Sequence, residues 1–398
     1  MREEHGPGRW VDALSPERKI VVCCARARID PGAKDVVRAL VRGDLNWADV
    51  LANAEHHGLL PIVYESIAGA AQDLVAPAQW NGVRDAAAAS TTNDLSLLRE
   101  LLRLHRLFEA ARLPAISYKG PVLAEVAYGS AIRREYEDLD FAVPQKYIPD
   151  VVSVLRAAGY RPLFDPREAH AGEDGFAPGQ YAFQSDARQI LVEFHTERTL
   201  RYFPVPLDFQ ELGGRLMTVE IGGQRFQTFS IEDTLVMLSV HGAKHFWERL
   251  GWVLDIAELA TVHAVDWALL LEIAAKMKAT RVLLLGLYLA HEVCGAALPE
   301  SVLEIARGDR KVQRLAREVR EQYAGVSDPR AGIWRRASFR IRSSDGIGEG
   351  LRHMLRLSMS PTESDREMVR LPRPLAPLYV LLRPWRLLRK YGAGLKRR

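Results

Sequence analysis

The chain has 398 residues, of which 48% are hydrophobic and 26% are charged. This composition is typical of a globular protein with a sizeable core, and the length predicts about two or three domains. Its three cysteines, Cys23, Cys24 and Cys294, exclude a disulfide framework and a zinc site built from spaced cysteine pairs. No stretch reaches the ~18 apolar residues of a membrane span, and the N-terminus lacks the apolar stretch of a signal peptide. We therefore expect a protein of the reducing cytoplasm.

The positive charge is concentrated at the C-terminus. Residues 368–398 contain nine Lys or Arg and no acid, so the net charge of +4 leaves the other 367 residues at −5. Because the body is mildly acidic, the pI near 8.9 says little about a general nucleic-acid-binding surface, and we expect no specific nucleic-acid partner. The tail mixes apolar, aromatic and basic residues, as in segments that touch a membrane or an acidic partner. A solvated terminus is the simpler alternative, and we favour it.

The N-terminal part of the chain is predicted to be helical. Apolar residues recur at helical spacing through residues 31–110. We expect the last of these helices to begin at Asn93 or Asp94, which are good capping residues, and to end before Pro114.

Short β-type segments then alternate with helical ones. We predict strands over residues 115–118, 138–143 and 160–164, helices over 121–128 and 147–158, and a hairpin formed by residues 181–185 and 189–195. The acidic, glycine-rich stretch 165–180 is predicted to be a loop. This order predicts a small mixed sheet with helices on one side.

Asp138 and Asp140 are the most informative residues of the sequence. Side chains alternate along a strand, so both carboxylates project from one face while Leu139 points into the core. Neighbouring carboxylates repel each other, and a divalent cation between them is the best explanation. Mg²⁺ binds oxygen ligands, usually one or two carboxylates together with substrate phosphates. Taken alone, however, Asp-x-Asp is more often a solubilising or turn sequence.

The predicted hairpin adds a third carboxylate. Its apolar residues alternate with Glu193 and His195, which therefore share a face. An acid on so apolar a strand needs a partner or a function. Two metal ions on Asp138 and Asp140, one of them also held by Glu193, would activate an attacking hydroxyl and stabilise a leaving pyrophosphate. The alternative is an edge strand whose charge prevents aggregation.

Basic residues lie on either side of the predicted helix 121–128. Lys119-Gly120 stands where a strand meets this helix, and free N–H groups at a helix N-terminus attract phosphate, which glycine allows to approach closely. Arg133 and Arg134, before the acidic strand, could clamp phosphate oxygens in bidentate fashion. We therefore expect Lys119, Gly120 and Arg133 to bind phosphates, with a plain turn as the alternative for Lys-Gly.

Beyond residue 229 the chain is predicted to form a helical bundle, with helices at about 253–262, 267–277 and 280–293 after a first one. Ser230 and Asp233 form a variant of the capping box at the start of that first helix.

Two histidines of the first bundle helix are candidate metal ligands. His241 and His245 are four residues apart and share a face, and Asp255 could join them. The sequence lacks the His-Glu-x-x-His form of zinc proteases, and histidines in a bundle are more often structural. We expect His241, His245 and Asp255 to line a substrate cleft together with His195, and Lys244 to lie near phosphate or substrate.

These motifs together resemble a known family. Ile116-Ser117-Tyr118-Lys119-Gly120, Asp138-Leu139-Asp140-Phe141 and Val192-Glu193-Phe194-His195, with Tyr128 and Arg133 between them, resemble the bacterial family of uncharacterised nucleotidyltransferases. That family belongs to the superfamily that includes aminoglycoside nucleotidyltransferases and DNA polymerase beta. The resemblance extends from about residue 30 to residue 290.

The resemblance implies a magnesium-dependent transfer of a nucleoside monophosphate from a nucleoside triphosphate to a hydroxyl group. Asp138 and Asp140 would hold the metals, and Glu193 would be a third ligand or a general base. The chain departs from the superfamily at two places. Lys119-Gly120 stands where Gly-Ser is common, and Glu193 stands where Asp is frequent.

We therefore predict an α+β protein in which a small mixed β-sheet nucleotidyltransferase core is flanked by N-terminal helices and a C-terminal helical bundle. The predicted segments are residues 1–112, 113–229, 230–367 and a basic tail, 368–398. The expected cofactors are Mg²⁺, with Mn²⁺ as the alternative, and a nucleoside triphosphate, for which ATP is favoured. The acceptor is a small molecule, a sugar or a peptide. Two other functions stay open: a nucleotide- or peptide-binding module without catalysis, and a hydrolase that uses the bundle histidines.

Overall fold

The computed structural model describes residues 9–26, 31–164, 179–197, 207–325 and 333–346, with single positions at 348, 350, 351, 355, 369, 378, 382 and 386. Within these residues the protein is α+β, with a five-stranded mixed sheet, a separate two-stranded hairpin and fifteen α-helices. The predicted fold class is therefore confirmed. The predicted loop at 165–180 and the basic tail lie almost entirely outside the described residues.

Five helices precede the sheet: α1 (Pro16–Cys24), α2 (Pro31–Val41), α3 (Trp47–His57), α4 (Leu60–Ala70) and α5 (Pro77–Ala110). Side-chain caps start two of them. Ser15 Oγ accepts a hydrogen bond from the backbone N–H of Arg18 at 3.4 Å, and Asn46 Oδ1 accepts one from that of Ala48 at 3.1 Å. Gly58, in the left-handed conformation, ends α3.

The fifth helix is longer than the sequence predicts. It begins at Pro77, where the missing N–H suits the first turn, and runs for 34 residues, so the predicted start at Asn93 or Asp94 is wrong. Asp94 is 1% exposed in the middle of α5, and its carboxylate accepts a hydrogen bond from the backbone N–H of Tyr136 at 3.4 Å. Aspartate often caps the start of a helix, but Asp94 instead makes a contact with a residue distant in sequence.

The five-stranded sheet consists of β1 (Ile116–Ser117), β2 (Asp138–Ala142), β3 (Arg161–Pro162), β4 (Gln180–Ser185) and β5 (Ile190–His195), in the order β1-β2-β5-β4-β3. β2 and β5 are parallel, and the other neighbouring strands are antiparallel. Helix α6 (Gly120–Tyr128) follows β1, and α7 (Ile148–Ala157) follows β2. The predicted strands and helices of this region are confirmed, although β1 and β3 are shorter than predicted.

Aromatic side chains hold the parallel strands β2 and β5 in place. Phe141 and Phe194 are register partners, and their rings stack with centroids 5.2 Å apart. Phe108 of α5 meets the Phe141 ring edge-on at 5.2 Å. All three are buried, and truncation of such a side chain to alanine destabilises a protein by about 3–5 kcal/mol. This layer fixes β2 against β5, and with them the side chains on the opposite face.

A second hairpin follows the short helix α8 (Phe209–Gly213). It pairs β6 (Met217–Ile221) with β7 (Gln224–Thr228). Gly222 and Gly223 form its turn, with φ of 56° and 73°, and tight hairpin turns need such positive φ values. This hairpin is absent from the predicted elements, although Gly-Gly between two segments of alternating polar and apolar residues is its sequence signal.

In the ranges that the structure describes up to residue 346, seven helices follow the second hairpin: α9 (Ile231–Lys244), α10 (Leu250–Val262), α11 (Trp267–Lys276), α12 (Thr280–Cys294), α13 (Glu300–Gly308), α14 (Arg310–Tyr323) and α15 (Ile333–Ser343). The predicted cap is confirmed, because Ser230 Oγ accepts a hydrogen bond from the backbone N–H of Asp233 at 3.1 Å. The first four helices lie close to their predicted ranges.

The end of α9 depends on a glycine. Trp247 has φ of 54° and folds its fully buried ring back over the helix. A Cβ placed on Gly242 would lie 2.5 Å from this ring, closer than real Cβ contacts. Gly242 therefore lets Trp247 pack directly against the helix backbone.

The N-terminal helices and the C-terminal bundle share one hydrophobic core. Buried side chains from α1, such as Val21, lie in the same cluster as Leu254 of α10 and Leu285 of α12. A second cluster lies between α5 and the sheet. The division into segments at residues 112, 229 and 367 stays a prediction. In the described residues, every helix is too short or too polar to traverse a lipid bilayer.

Candidate active site

The parallel register of β2 and β5 brings three carboxylates and one imidazole together. Asp140 is the direct partner of Glu193, Asp138 lies two residues before it, and His195 lies two residues beyond Glu193. Because side chains alternate along a strand, all four project from the face opposite the phenylalanine layer. We call Asp138, Asp140 and Glu193 the acid cluster.

Asp140 is the centre of this arrangement. Its side chain is 4% exposed, with Oδ1 lying 2.7 Å from His195 Nε2 and Oδ2 accepting a hydrogen bond from Lys119 Nζ at 3.1 Å. His195 Nε2 also lies 3.6 Å from Glu193 Oε2. Gln180 Nε2 donates to the same glutamate oxygen at 2.7 Å. Gln180 could not be predicted as a site residue, because nothing in its local sequence indicates that β4 places it beside Glu193.

The two aspartates differ in their affinity for protons. Burial opposes ionisation of Asp140, but Lys119 and the hydrogen bond with His195 outweigh it and hold the Asp140 pKa well below its usual range. Repulsion by Asp140, together with burial, raises the pKa of Asp138 to about 7. Asp140 is thus held ionised, and binding of a cation nearby would favour loss of the proton from Asp138.

Lys119 reaches the acid cluster because of the turn between β1 and α6. It stands immediately before α6, and Gly120 at the start of this helix has φ of 56°. A Cβ on Gly120 would lie 3.3 Å from the carbonyl oxygen of Asp138. Glycine is therefore needed for both its left-handed conformation and the close approach of the turn to β2. The N-terminus of α6 lies beside the acid-bearing strand as a result.

Helix α9 supplies a wall near the acid cluster. Burial lowers the pKa of Lys244, as does the charge of Lys119, whereas Glu193 and the two aspartates act in the opposite direction. Burial also holds the His241 pKa well below its usual range, and Lys119 adds to this effect. For His245, burial lowers the pKa to about 4. Both histidines are therefore neutral near pH 7.

Trp252 of α10 packs against the two histidines. Its ring centroid lies 5.0 Å from that of His241 and 5.4 Å from that of His245, and the two imidazoles are 4.8 Å apart. Trp252 could not be predicted as a site residue from the sequence, since its position depends on how α10 packs against α9. These aromatic rings continue the wall from Lys244 toward α10.

Asp255 lies elsewhere, in a buried ion pair. It is fully buried, and its Oδ1 accepts hydrogen bonds from Arg134 Nε at 2.7 Å and from Tyr128 Oη at 2.8 Å. Arg133 Nε donates to Glu65 at 2.7 Å. Both arginines of the predicted phosphate clamp thus bond to acids of neighbouring helices in this structure. The roles predicted for Arg133 and Asp255 stay predictions.

Five consecutive side chains before Asp138 contact α4, α5, α10 or the residue before α10. We call residues 133–137 the anchor segment. Its contacts are Arg133 with Glu65 of α4, Arg134 with Asp255 of α10, Glu135 with Ser90 and Tyr136 with Asp94 of α5, and Glu137 with Arg249 before α10. The partners lie 42 to 121 residues away in sequence. No local pattern predicts such contacts, and they fix the chain directly before the acid-bearing strand.

The donor atoms around Asp140 are close enough for a metal ion. Oxygen atoms of Asp140 and Glu193 and a ring nitrogen of His195 all lie within 4.8 Å of one another. In the part of the chain that the structure describes, this is the one group of three His, Cys, Asp or Glu residues with that spacing. His241, His245 and Asp255 do not form such a group, so the structure gives no support to a hydrolase built on them.

The fold and the site define a protein with a mixed sheet whose parallel strands carry an acid cluster beside two lysines. The chain belongs to the family of uncharacterised nucleotidyltransferases, whose family model matches residues 43–295. This match contains the acid cluster, both lysines and the anchor segment, and it confirms the predicted family. Comparison with curated proteins and with solved structures gives no match.

Proposed function

We propose that this protein transfers a nucleoside monophosphate from a nucleoside triphosphate to a hydroxyl group of a small molecule, sugar or peptide. The observation that carries the proposal is the pairing of Asp140 with Glu193 on parallel strands, beside Lys119 and within the matched region. ATP is the favoured nucleotide.

The residues present fit divalent cations. Asp138, Asp140 and Glu193 offer carboxylate oxygens from one face of the sheet, and the pKa of Asp138, raised to about 7 mainly by Asp140, reflects excess negative charge there. Mg²⁺ and Mn²⁺ both bind such oxygens. When bound, such ions supply positive charge that polarises the attacking hydroxyl and the phosphate oxygens.

The basic residues suit the phosphate chain. Lys119 and Lys244 repel each other, and the lowered pKa of Lys244, due to burial and then to Lys119, reflects this repulsion. A polyphosphate between them relieves the repulsion and leaves Lys119 free to exchange Asp140 for a phosphate oxygen. The N-terminus of α6 beside Lys119 adds backbone N–H groups, as at other phosphate sites.

The reaction then needs one proton acceptor. The acceptor hydroxyl oxygen attacks the α-phosphorus, a P–O bond forms, and the bond to pyrophosphate breaks. We assign the hydroxyl proton to Oε1 of Glu193, because Gln180 Nε2 donates to Oε2 at 2.7 Å and so orients the carboxylate. The half-buried rings of His241, His245 and Trp252 restrict the access of water on the bundle side.

A catalytically inactive binding module is the second candidate. The ion pair between Lys119 Nζ and Asp140 Oδ2, at 3.1 Å, neutralises Asp140 without any metal. A module that only binds nucleotide would keep this ion pair and release no pyrophosphate. The concentration of three acids favours the transferase, since binding anionic phosphates alone gives no reason to retain them.

An acceptor screen separates the two functions. The protein is incubated with each nucleoside triphosphate, Mg²⁺ or Mn²⁺, and panels of sugars, amino sugars and peptides, and products are detected by mass. A transferase adds to an acceptor the mass of one nucleotidyl group, which is that of a nucleoside monophosphate less one water, and releases one pyrophosphate per product. Nucleotide binding without any product, across the whole panel, supports the inactive module.

A further inference from the structure

We infer that His195 provides a nitrogen ligand, with Asp140 and Glu193, to a site for a first-row transition ion, and that this site prefers Mn²⁺ to Mg²⁺. The inference rests on the proposed function for the use of the ion. Binding itself is measurable without any reaction. On this inference His195, which the sequence predicts to line the substrate cleft, is a metal ligand.

The spacing of the donor atoms supports a direct ligand. Donors that bind a six-coordinate ion at about 2.1 Å lie about 3 Å from their neighbours. His195 Nε2 lies 2.7 Å from Asp140 Oδ1 and 3.6 Å from Glu193 Oε2, on either side of that value. His195 Nε2 therefore lies between the two carboxylates. A metal ion bound by both carboxylates at this place could also bind the lone pair of Nε2.

The surroundings of His195 preset this orientation. Its side chain is 6% exposed, and its backbone is fixed by pairing with Ala142 of β2 and Gln180 of β4. The ring meets Tyr118 edge-on, with centroids 5.9 Å apart. Lys119 binds the other oxygen of Asp140, Oδ2, so it does not stand between the imidazole and Oδ1.

The chemistry of the donor set indicates the kind of ion. Mg²⁺ binds oxygen ligands and keeps several waters, whereas imidazole suits transition ions. Two carboxylates with one imidazole therefore form a mixed site that a transition ion fills better than Mg²⁺. Asp138 and the remaining oxygen of Asp140 form an all-oxygen set on the same face, which suits a second ion held with substrate phosphates.

Mn²⁺ alone is the probe, because its unpaired electrons report directly bound nitrogen. We expect the full chain with one equivalent of Mn²⁺ to show ¹⁴N modulation in pulsed electron paramagnetic resonance, and we expect this modulation to change when histidine is labelled with ¹⁵N. His195→Gln should lose the nitrogen signal and bind Mn²⁺ about tenfold or more weakly, with Mg²⁺ affinity little changed. His105→Gln is the control, because His105 contacts the carbonyl of Arg225 away from the acid cluster.

The outcomes are distinct. Bound Mn²⁺ without nitrogen modulation in the unmodified protein overturns the inference and leaves His195 as a hydrogen-bond partner of Asp140. Persistence of the modulation in His195→Gln, or in His195→Asn if the first variant fails to fold, also overturns it. A nitrogen signal in a protein that never yields a nucleotidylated product supports the metal site while it contradicts the proposed reaction.

Discussion

Arg134 Nε donates to both carboxylate oxygens of Asp255, at 2.7 and 2.9 Å, and thereby joins the anchor segment to helix α10 of the bundle. The Asp255 side chain is 0% exposed and that of Arg134 is 12% exposed. An ion pair removed from water to this extent is maintained by its geometry, and loss of either partner leaves an uncompensated charge. The acid-bearing strand β2 begins four residues after Arg134, so this pair helps to set its position.

Asp255→Asn should destabilise the protein strongly. Arg134 would keep its charge in a buried site without a carboxylate partner, and we expect the free energy of unfolding to fall by about 3–5 kcal/mol. Urea unfolding followed by circular dichroism measures this change. Asp186→Asn is the matched control, because it breaks the exposed ion pair with Arg161, in which the side chains are 54% and 61% exposed. The control should change stability little, because exposed ion pairs are screened by water, and equal effects of the two variants would contradict the expectation.

Gly120→Ala should damage both the fold and the site. Its φ of 56° is unfavourable for alanine, and the new Cβ would lie 3.3 Å from the carbonyl oxygen of Asp138. We expect a loss of about 1–3 kcal/mol in the free energy of unfolding, together with weaker nucleotide binding.

Gly82→Ala is the control for this substitution. Gly82 lies on the exposed side of α5, where an added Cβ would meet none of the described atoms within 4 Å. Alanine there should stabilise the helix by about 0.5–1 kcal/mol. If Gly120→Ala were as stable as the unmodified protein, the close approach of the turn to β2 would not be a constraint.

Stability should depend on pH through Asp94. Burial raises its pKa from 3.8 to about 7. A carboxyl group whose pKa is higher in the folded state binds more protons there, so its contribution to stability is lost as pH rises from about 4 to 7. Asp94→Asn removes this titration. We therefore expect the stability of Asp94→Asn relative to the unmodified protein to be about 1–3 kcal/mol greater at pH 8 than at pH 4.

Denaturant unfolding at several pH values measures this difference. Asp85→Asn is the control on the same helix, because Asp85 is exposed and pairs with its exposed neighbour Arg84. A pH profile of Asp94→Asn parallel to that of the unmodified protein from pH 4 to 8 would show that Asp94 does not titrate in this range.

Lys119→Met should affect metal and nucleotide binding in opposite directions. Lys119 Nζ lies 3.1 Å from Asp140 Oδ2 and thus competes with a divalent ion for that oxygen. Without the lysine, we expect affinity for Mn²⁺ to rise about tenfold in the absence of nucleotide, whereas affinity for the nucleoside triphosphate falls. Titration calorimetry with each ligand measures both. Lys146→Met, at an exposed position, should change neither; a parallel loss of both affinities in Lys119→Met would argue against competition.

Local sequence patterns predicted the acid-bearing strands well. Alternation along β2 and β5 is a local property, and it correctly placed Asp138 with Asp140 and Glu193 with His195 on common faces. The pattern could not show that Asp140 and Glu193 are direct register partners, since that depends on which strands pair. The predicted start of α5 was wrong for a similar reason, because Asp94 bonds to Tyr136 across 42 residues instead of capping a helix.

The contacts of the anchor segment could not be predicted from sequence patterns. The sequence predicts a phosphate clamp at Arg133 and Arg134, because guanidinium groups bind phosphate oxygens in bidentate fashion. Their bonds to Glu65 and Asp255 depend on helices 68 and 121 residues away. Trp252 and Gln180 could not be predicted for the same reason. Each reaches the site through the packing of its helix or strand against another element, and the local sequence does not indicate that packing.

Release of pyrophosphate by Asp138→Asn and Asp140→Asn, compared with the unmodified protein, is the decisive measurement. It is made with the nucleotide, metal ion and acceptor found to give product, and with Asp150→Asn, at an exposed position of α7, as the control. We expect both acid-cluster variants to retain their circular dichroism spectra and lose turnover by at least about a thousandfold, while the control keeps full activity. Full turnover by both variants would contradict a metal-dependent nucleotidyl transfer at this site.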